Sequence, residues 1–212
     1  MPIITAKIGD PALTPVLLAD MFSFRARVFS QQLGWERESD QGRDNLDDLN
    51  PVYVISLDHG RVNGCLRLLP TDGWYMLGDE FPELLWGEQP PRSPVVWEVS
   101  RFAAQEINAP CESSVQIASP DIAWELILSA MRFALNAGVE TFVAVASTDV
   151  ESYLKSVGLR MRRFGLGHQV MVSGCAITAL KINVTASLAR IDLGTLSGNQ
   201  HHAAATQQRS GD

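Results

Sequence analysis

Four short groups of residues carry side chains that can do chemistry. Arg25 lies on an apolar helical stripe, with Phe29 one turn on and Trp35 six residues beyond that. Asp44 and Asp47 stand three apart in an acidic loop, and Arg67 interrupts the apolar run from Cys65 to Pro70. The fourth group is consecutive: Glu98, Val99, Ser100, Arg101 and Phe102. A guanidinium is a fork that fits a carboxylate, an aromatic face attracts a cation, and a carboxylate can take a proton from an amine. Each group alone also has a plainer explanation: a satisfied ion pair, a solvated loop, a strand charge facing water. Strand alternation puts Glu98, Ser100 and Phe102 on one face and Val99, Arg101 and Ala103 on the other. Glu98 and Arg101 therefore serve one pocket only if the strand is broken or bulged. An ion pair from Arg101 to Asp44, Asp47 or Asp48, bracing the loop, is an equal alternative to substrate contact.

The elements that must position these residues follow from period and punctuation. After an apolar start at Ile3 to Ile8, a helical pattern runs from Pro15 to Leu33, with Leu18, Met21, Phe22 and Phe29 at three- and four-residue steps. From Gly34 to Asn50 the period gives way to charge, which predicts an irregular segment covering a site. Val52 to Leu57 and Val62 to Leu69 read as a hairpin around Asp58, His59 and Gly60. Met76 to Trp86 reads as an apolar surface segment without assignment. Gln89 to Pro94 is a loop before a strand from Val95 to Ala103, and Pro110 to Ser119 is another loop. Pro120 opens a helix to Asn136, with Gly138 as its stop. A buried strand from Thr141 to Ala146 follows, then a short helix capped by Asp149 and ended by Gly158. Val170 to Val184 supplies one or two more strands. Strands interleaved with a few helices, without an early G-x-G-x-x-G, predict a mixed α/β sandwich.

The chain has 212 residues, 46% of them hydrophobic and 19% charged, which fits one domain over residues 1–196 followed by a disordered polar tail over 197–212. A net charge of -7 argues against general nucleic-acid binding. Cys65, Cys111 and Cys175 are odd in number, far apart and expected to be reduced, and His201 and His202 lack a second ligand pair, so no metal site is expected. The start of the chain lacks a secretory signal and no long apolar run appears, which predicts a cytoplasmic protein without membrane insertion. Lys155, Arg160, Arg162 and Arg163 form a basic cluster in this acidic chain.

In this order, over about residues 18 to 184, the R-x-x-V-F with its following Trp, the D-x-x-D pair, the L-R-L-L-P strand and the E-x-S-R-F strand closely resemble the acyl-homoserine-lactone synthase (autoinducer synthase) family. Phe81-Pro82-Glu83-Leu84 and Leu154-Lys155-Ser156-Val157-Gly158 match its usual wording too. The resemblance implies a GNAT-like acyltransferase fold, a twisted mixed sheet with helices on both sides. It implies an enzyme of quorum sensing that joins an acyl group from a thioester, usually on acyl carrier protein, to the substrate S-adenosylmethionine, without a metal or bound cofactor. Glu98 would then be the general base, with Ser100 and Arg101 beside it. Arg25, Phe29, Trp35, Asp44, Asp47 and Arg67 would hold S-adenosylmethionine. Phe102, Met131, Phe142, Ala144 and Ala146 would line the acyl tunnel, and the basic cluster would steer the acidic carrier. A threonine matching Ala144 often accompanies 3-oxo chains in related synthases, and alanine here weakens that assignment. The rival is an ordinary acyl-CoA-dependent GNAT enzyme, since Arg162 to Gly167 spells R-x-x-G-x-G. That motif should open a helix, whereas a strand-like segment from Gln169 to Val172 follows it. A non-catalytic binder of S-adenosylmethionine or carrier protein would lack the base.

Overall fold

A computed structural model describes residues 1–35, 41–107 and 116–191. The predicted tail, Cys111, both tail histidines and most of the loop before Pro120 lie outside the described residues. Eight strands form one mixed sheet: β1 (Ile3–Lys7), β2 (Val52–Asp58), β3 (Arg61–Pro70), β4 (Val96–Ala104), β5 (Thr141–Ser147), β6 (Met161–Arg163), β7 (Gln169–Val172) and β8 (Cys175–Asn183). The order across the sheet is β1-β2-β3-β4-β5-β8-β6, with β7 also on β8. All neighbours are antiparallel except β4 and β5, which are parallel and paired only over Val96–Glu98 with Thr141–Val143. Beyond Glu98 these two strands part, and β5 continues along β8 to Ser147. The sheet therefore forks at Glu98.

Helices cover both faces. On one, α3 (Pro120–Asn136) and α4 (Thr148–Ser156) pack over Leu66, Leu68, Phe102 and Phe142. On the other, α1 (Pro15–Arg25) covers Tyr53, Ile55 and Cys65, while the short α2 (Met76–Asp79) packs with Val143 and Ala179. The first helix starts where Thr14 accepts a hydrogen bond from Leu17 N–H, and Pro15 supplies a preset φ. It does not run as one α-helix to Leu33. From Ala26 to Gln32 the winding opens to a π-helix, with Leu33 N–H bonded to Val28 O. Hydrophobic period alone does not separate the two windings, because both bury one stripe.

The hairpin turns through His59 and Gly60, both at positive φ, as a tight turn between right-twisted strands requires. Two further expectations need correction. Met76 to Trp86 is not a surface segment: Tyr75, Leu77, Leu84 and Leu85 are buried against the sheet, and its peptide runs through α2 and a 3-10 turn at Pro82–Leu85. The α4 cap is Ser147, which accepts from Val150 N–H, while Asp149 lies in the first turn. Among the described residues no helix is long and apolar enough to cross a membrane.

Candidate active site

The acidic loop is built by its own spacing. Asp44 caps a 3-10 turn at Asn45–Asp48 by accepting from Leu46 N–H at 2.9 Å, and Asp47 Oδ2 accepts from Asp44 N–H at 2.9 Å. This reciprocal box needs two acceptors three residues apart, and it turns both carboxylates toward the sheet. Gly42 lets the loop approach, because a Cβ there would lie 2.1 Å from Phe22 O and 2.6 Å from Ala26 N.

Three guanidiniums meet the loop. Arg25 donates to Asp47 Oδ1 at 2.8 Å and lies 3.5 Å from Asp44. Arg67 donates to Asp44 Oδ1 at 2.5 Å, to Asp47 Oδ1 at 3.0 Å and, through Nε, to Ser100 Oγ at 3.1 Å. Arg101 donates to Asp44 through Nε at 3.0 Å and also through Nη2. Tyr53, which faces Arg67 across β2 and β3, completes the group by donating to Asp47 at 2.9 Å. Its hydroxyl is a residue that the motifs missed, and its position opposite Arg67 in the hairpin was the available signal. Arg25 and Arg67 are 1% and 0% exposed, so their charges are tolerable only because carboxylates meet them. Burial works to raise the Asp47 carboxyl, but Arg25, by charge and hydrogen bond, and Arg67 hold it at about 2.

The strand that carries Glu98 is bulged. Arg67 pairs with Ser100 but Cys65 pairs with Ala103, so β4 has one residue more than β3 across this interval. Arg101 takes up the extra residue at φ 55°. Strict alternation is lost there: Arg101 joins Ser100 on the loop side, and Phe102 crosses to the α3 side with Val99 and Ala104. The condition for Glu98 and Arg101 to serve one region is thus met, and the expected grouping of Phe102 with Glu98 is not.

Glu98 is buried at the fork, where Oε1 accepts from Leu77 N–H at 2.7 Å and Oε2 from Met76 N–H at 3.1 Å. Burial lifts its carboxyl to about 7, against the pull of these two donors. A group poised there exchanges a proton near neutrality, as acid-base work requires. Beside it, the gap between the parted strands opens into an apolar cavity of about 800 Å³, its mouth included. Phe102, Met131, Phe142, Ala144 and Ala146 all line it, as do Phe29, Trp35, Ser100 and Arg101. The Phe29 and Trp35 rings lie 6.1 Å apart, and the Arg101 guanidinium sits 5.4 Å from the Phe29 ring centre.

The basic cluster is not one free patch. Arg162 and Arg163 are neighbours on β6 and reach different acids: Arg162 pairs with Glu88 at 2.9 Å, Arg163 with Glu151 at 2.5 Å. Lys155 shares Glu151 at 2.6 Å, and Arg160 is exposed. The R-x-x-G-x-G segment closes as a short 3-10 turn at Gly165–Gly167 and leads into β7, so it opens no helix. Among the described residues no three His, Cys, Asp or Glu side chains are grouped to hold a metal.

Residues 13–187 match the family model for autoinducer synthase. An acyl-homoserine-lactone synthase of Acinetobacter baumannii is 36% identical over 166 residues, 76% of this chain and 89% of that one. TofI, solved in a ternary complex with an inhibitor and MTA, is 31% identical with a TM-score of 0.75, over 91% of this chain and 97% of that one. MesI, a CoA-dependent acyl-homoserine lactone synthase, is 25% identical with a TM-score of 0.73, over 90% and 92% of the two chains.

Proposed function

The chain belongs to the autoinducer synthase family and is an acyltransferase with a GNAT-like fold that makes acyl-homoserine lactones, and on that premise we propose that S-adenosylmethionine is its acceptor and an acyl thioester its donor. The acceptor's amine, once deprotonated, attacks the thioester carbonyl carbon. The C–S bond breaks, and the thiol leaves with a proton. The acceptor's carboxylate oxygen then attacks the carbon next to the sulfonium, closing the lactone and expelling methylthioadenosine. This second step needs mainly a held geometry, because the sulfonium is already a good leaving group.

The observation that carries the reading is the junction at the fork. A carboxyl held near 7 accepts from the amide of Met76, which lines an apolar cavity suited to an acyl chain, and its strand neighbours Ser100 and Arg101 join that cavity to a charged cluster suited to a zwitterion. Glu98 takes the ammonium proton, and Ser100 and Arg101 orient the reacting groups at the cavity mouth. Phe29 and Trp35 face the sulfonium and adenosyl group. Asp44 and Asp47, with Arg25 and Arg67 behind them, set the charge that receives the amino-acid end. Arg67 Nη2, buried and without a partner among the described residues, is a spare donor there. Phe102, Met131, Phe142, Ala144 and Ala146 hold the acyl chain.

The donor is acyl carrier protein, steered by Lys155, Arg160, Arg162 and Arg163. Coenzyme A is the second reading, favoured by the engagement of Arg162, Arg163 and Lys155 with Glu88 and Glu151. Incubation with S-adenosylmethionine and either acyl-carrier protein or acyl-CoA, followed by assay of methylthioadenosine and lactone, tests both readings. Absence of methylthioadenosine with every donor would refute the reaction.

A further inference from the structure

A second cavity of about 540 Å³ adjoins the first, between the starts of α3 and α4, with Pro120, Ser147, Asp149 and Tyr153 among its walls. Trp35, Gln116 and Val150 line both cavities, so they form the neck between them. Two of these three side chains carry a polar atom that no described residue pairs. Among the described residues, neither the buried Trp35 indole N–H nor the buried Gln116 Oε1 has a hydrogen-bond partner. Leaving such atoms unpaired costs about 1–3 kcal/mol each, so a neck built this way is suited to a ligand that pairs them.

The orientation of Gln116 is fixed rather than arbitrary. Its Nε2 donates to Phe102 O, which determines which end of the amide points onward. Its backbone is held as well: Ala104 N–H donates to Gln116 O at 3.1 Å, and Ala104 bridges Ile117 in parallel beside the edge of β4 that β5 has left. The neck therefore offers one donor and one acceptor, both preset. A secondary amide is the group that presents one acceptor and one donor in return.

Resting on the reading of the donor as a thioester on a pantetheine arm, we propose that this neck recognises an amide of that arm, with Trp35 Nε1–H donating to its carbonyl oxygen and Gln116 Oε1 accepting from its N–H. The arm then crosses the smaller cavity, and the thioester beyond the amide arrives at the fork with its acyl chain in the larger one. Carrier protein and coenzyme A share this arm, so the contact selects the chemistry common to both.

The test compares one acyl group, the one turned over fastest, on two small thiols: N-acetylcysteamine, which has the amide, and pentanethiol, which lacks it. With methylthioadenosine release as the readout, the wild-type protein should favour the amide-bearing thioester by roughly 10- to 100-fold in kcat/KM. Gln116→Met and Trp35→Phe should each bring that ratio down by about 10-fold, whatever they do to overall turnover. The Gln116 variant should lower kcat/KM for acyl-carrier protein and acyl-CoA by similar factors. A fall with one carrier alone would place Gln116 against that carrier and overturn the proposal. Equal use of the two small thioesters by the wild-type protein overturns it without any variant. Absence of release with every thioester would instead remove the acyl-transfer reading on which the proposal stands.

Discussion

Replacing Glu98 by Gln separates the role of this residue in chemistry from its effect on stability. In the folded chain burial holds the carboxyl at about 7, above its ordinary 4.5. The unfolded chain therefore loses this proton first as pH rises. Stability associated with the group is fully present below the unfolded value and is lost as pH rises through the folded one. Two and a half pH units correspond to about 3 kcal/mol. The Gln variant cannot ionise, and it loses some constant amount because Gln offers one acceptor oxygen to the Met76 and Leu77 amides in place of two. The difference in unfolding free energy, wild type minus variant, should thus shrink by about 3 kcal/mol between pH 4 and pH 8. Denaturant melts across that range measure it, and thermal melts should show a relative shift of roughly 6–12 °C for a chain of this size. In parallel, kcat/KM of the wild type should rise with a midpoint near 7, and the variant should lose roughly 100- to 10,000-fold of activity. Stability curves that run parallel for the two proteins would refute the raised carboxyl. Normal turnover by the variant across pH would refute the base.

The network around the loop should be equally sensitive. Asp47→Asn keeps one acceptor oxygen for Arg25, Arg67 and Tyr53 but removes the negative charge the two buried guanidiniums face and puts an NH2 where Oδ2 accepts from Asp44 N–H, so chemical denaturation should show a loss of about 3–5 kcal/mol; a loss under 1 would mean that Asp44 alone balances the guanidiniums. Ala144→Leu intrudes on the larger cavity and should shift the lactones made toward shorter acyl chains, read by mass spectrometry of the products. An unchanged profile would put the chain elsewhere. Reversing Lys155 and Arg160 to Glu should raise KM for acyl-carrier protein by about 10-fold at an ionic strength where the screening length is 8–10 Å, while a small thioester should be indifferent; equal loss with both would assign the segment a structural role.

The sequence was informative where one residue type has one physical use. Pro120 and Gly138 bound a helix and His59-Gly60 turns a hairpin, whereas the D-x-x-D pair stands out by its charge and only the fold shows that its spacing closes a capping box. It was silent where packing decides. The segment from Met76 to Trp86 has no period because its apolar residues are buried by separate contacts with the sheet, not by one helix face. The basic cluster looked continuous in the chain, but β6 was too short to recognise, and Arg162 and Arg163 reach different acids. Gln116 carries no motif at all; its importance appears only when two cavities share it.

Between these extremes lies the bulge at Arg101. The four-residue string from Glu98 to Arg101 holds a carboxylate and a guanidinium, yet regular alternation would send them to opposite faces. One extra residue resolves this by placing a non-glycine residue in the left-handed region, a strain of about 1–2 kcal/mol. The same residue moves Phe102 to the other face of β4, and Phe102, Ser100 and Arg101 all line the apolar cavity. A flat strand would keep the pairing with β3 and relieve the strain, but it would turn Arg101 away from Asp44. The strain is held because Asp44 fixes the guanidinium and the Phe29 ring packs against it. The acidic loop thus acts through more than charge: by holding Arg101 it keeps β4 bent beyond the point where the two parallel strands part, and Ser100 and Arg101, two and three residues after the carboxyl at the fork, join the charged cluster to the apolar cavity.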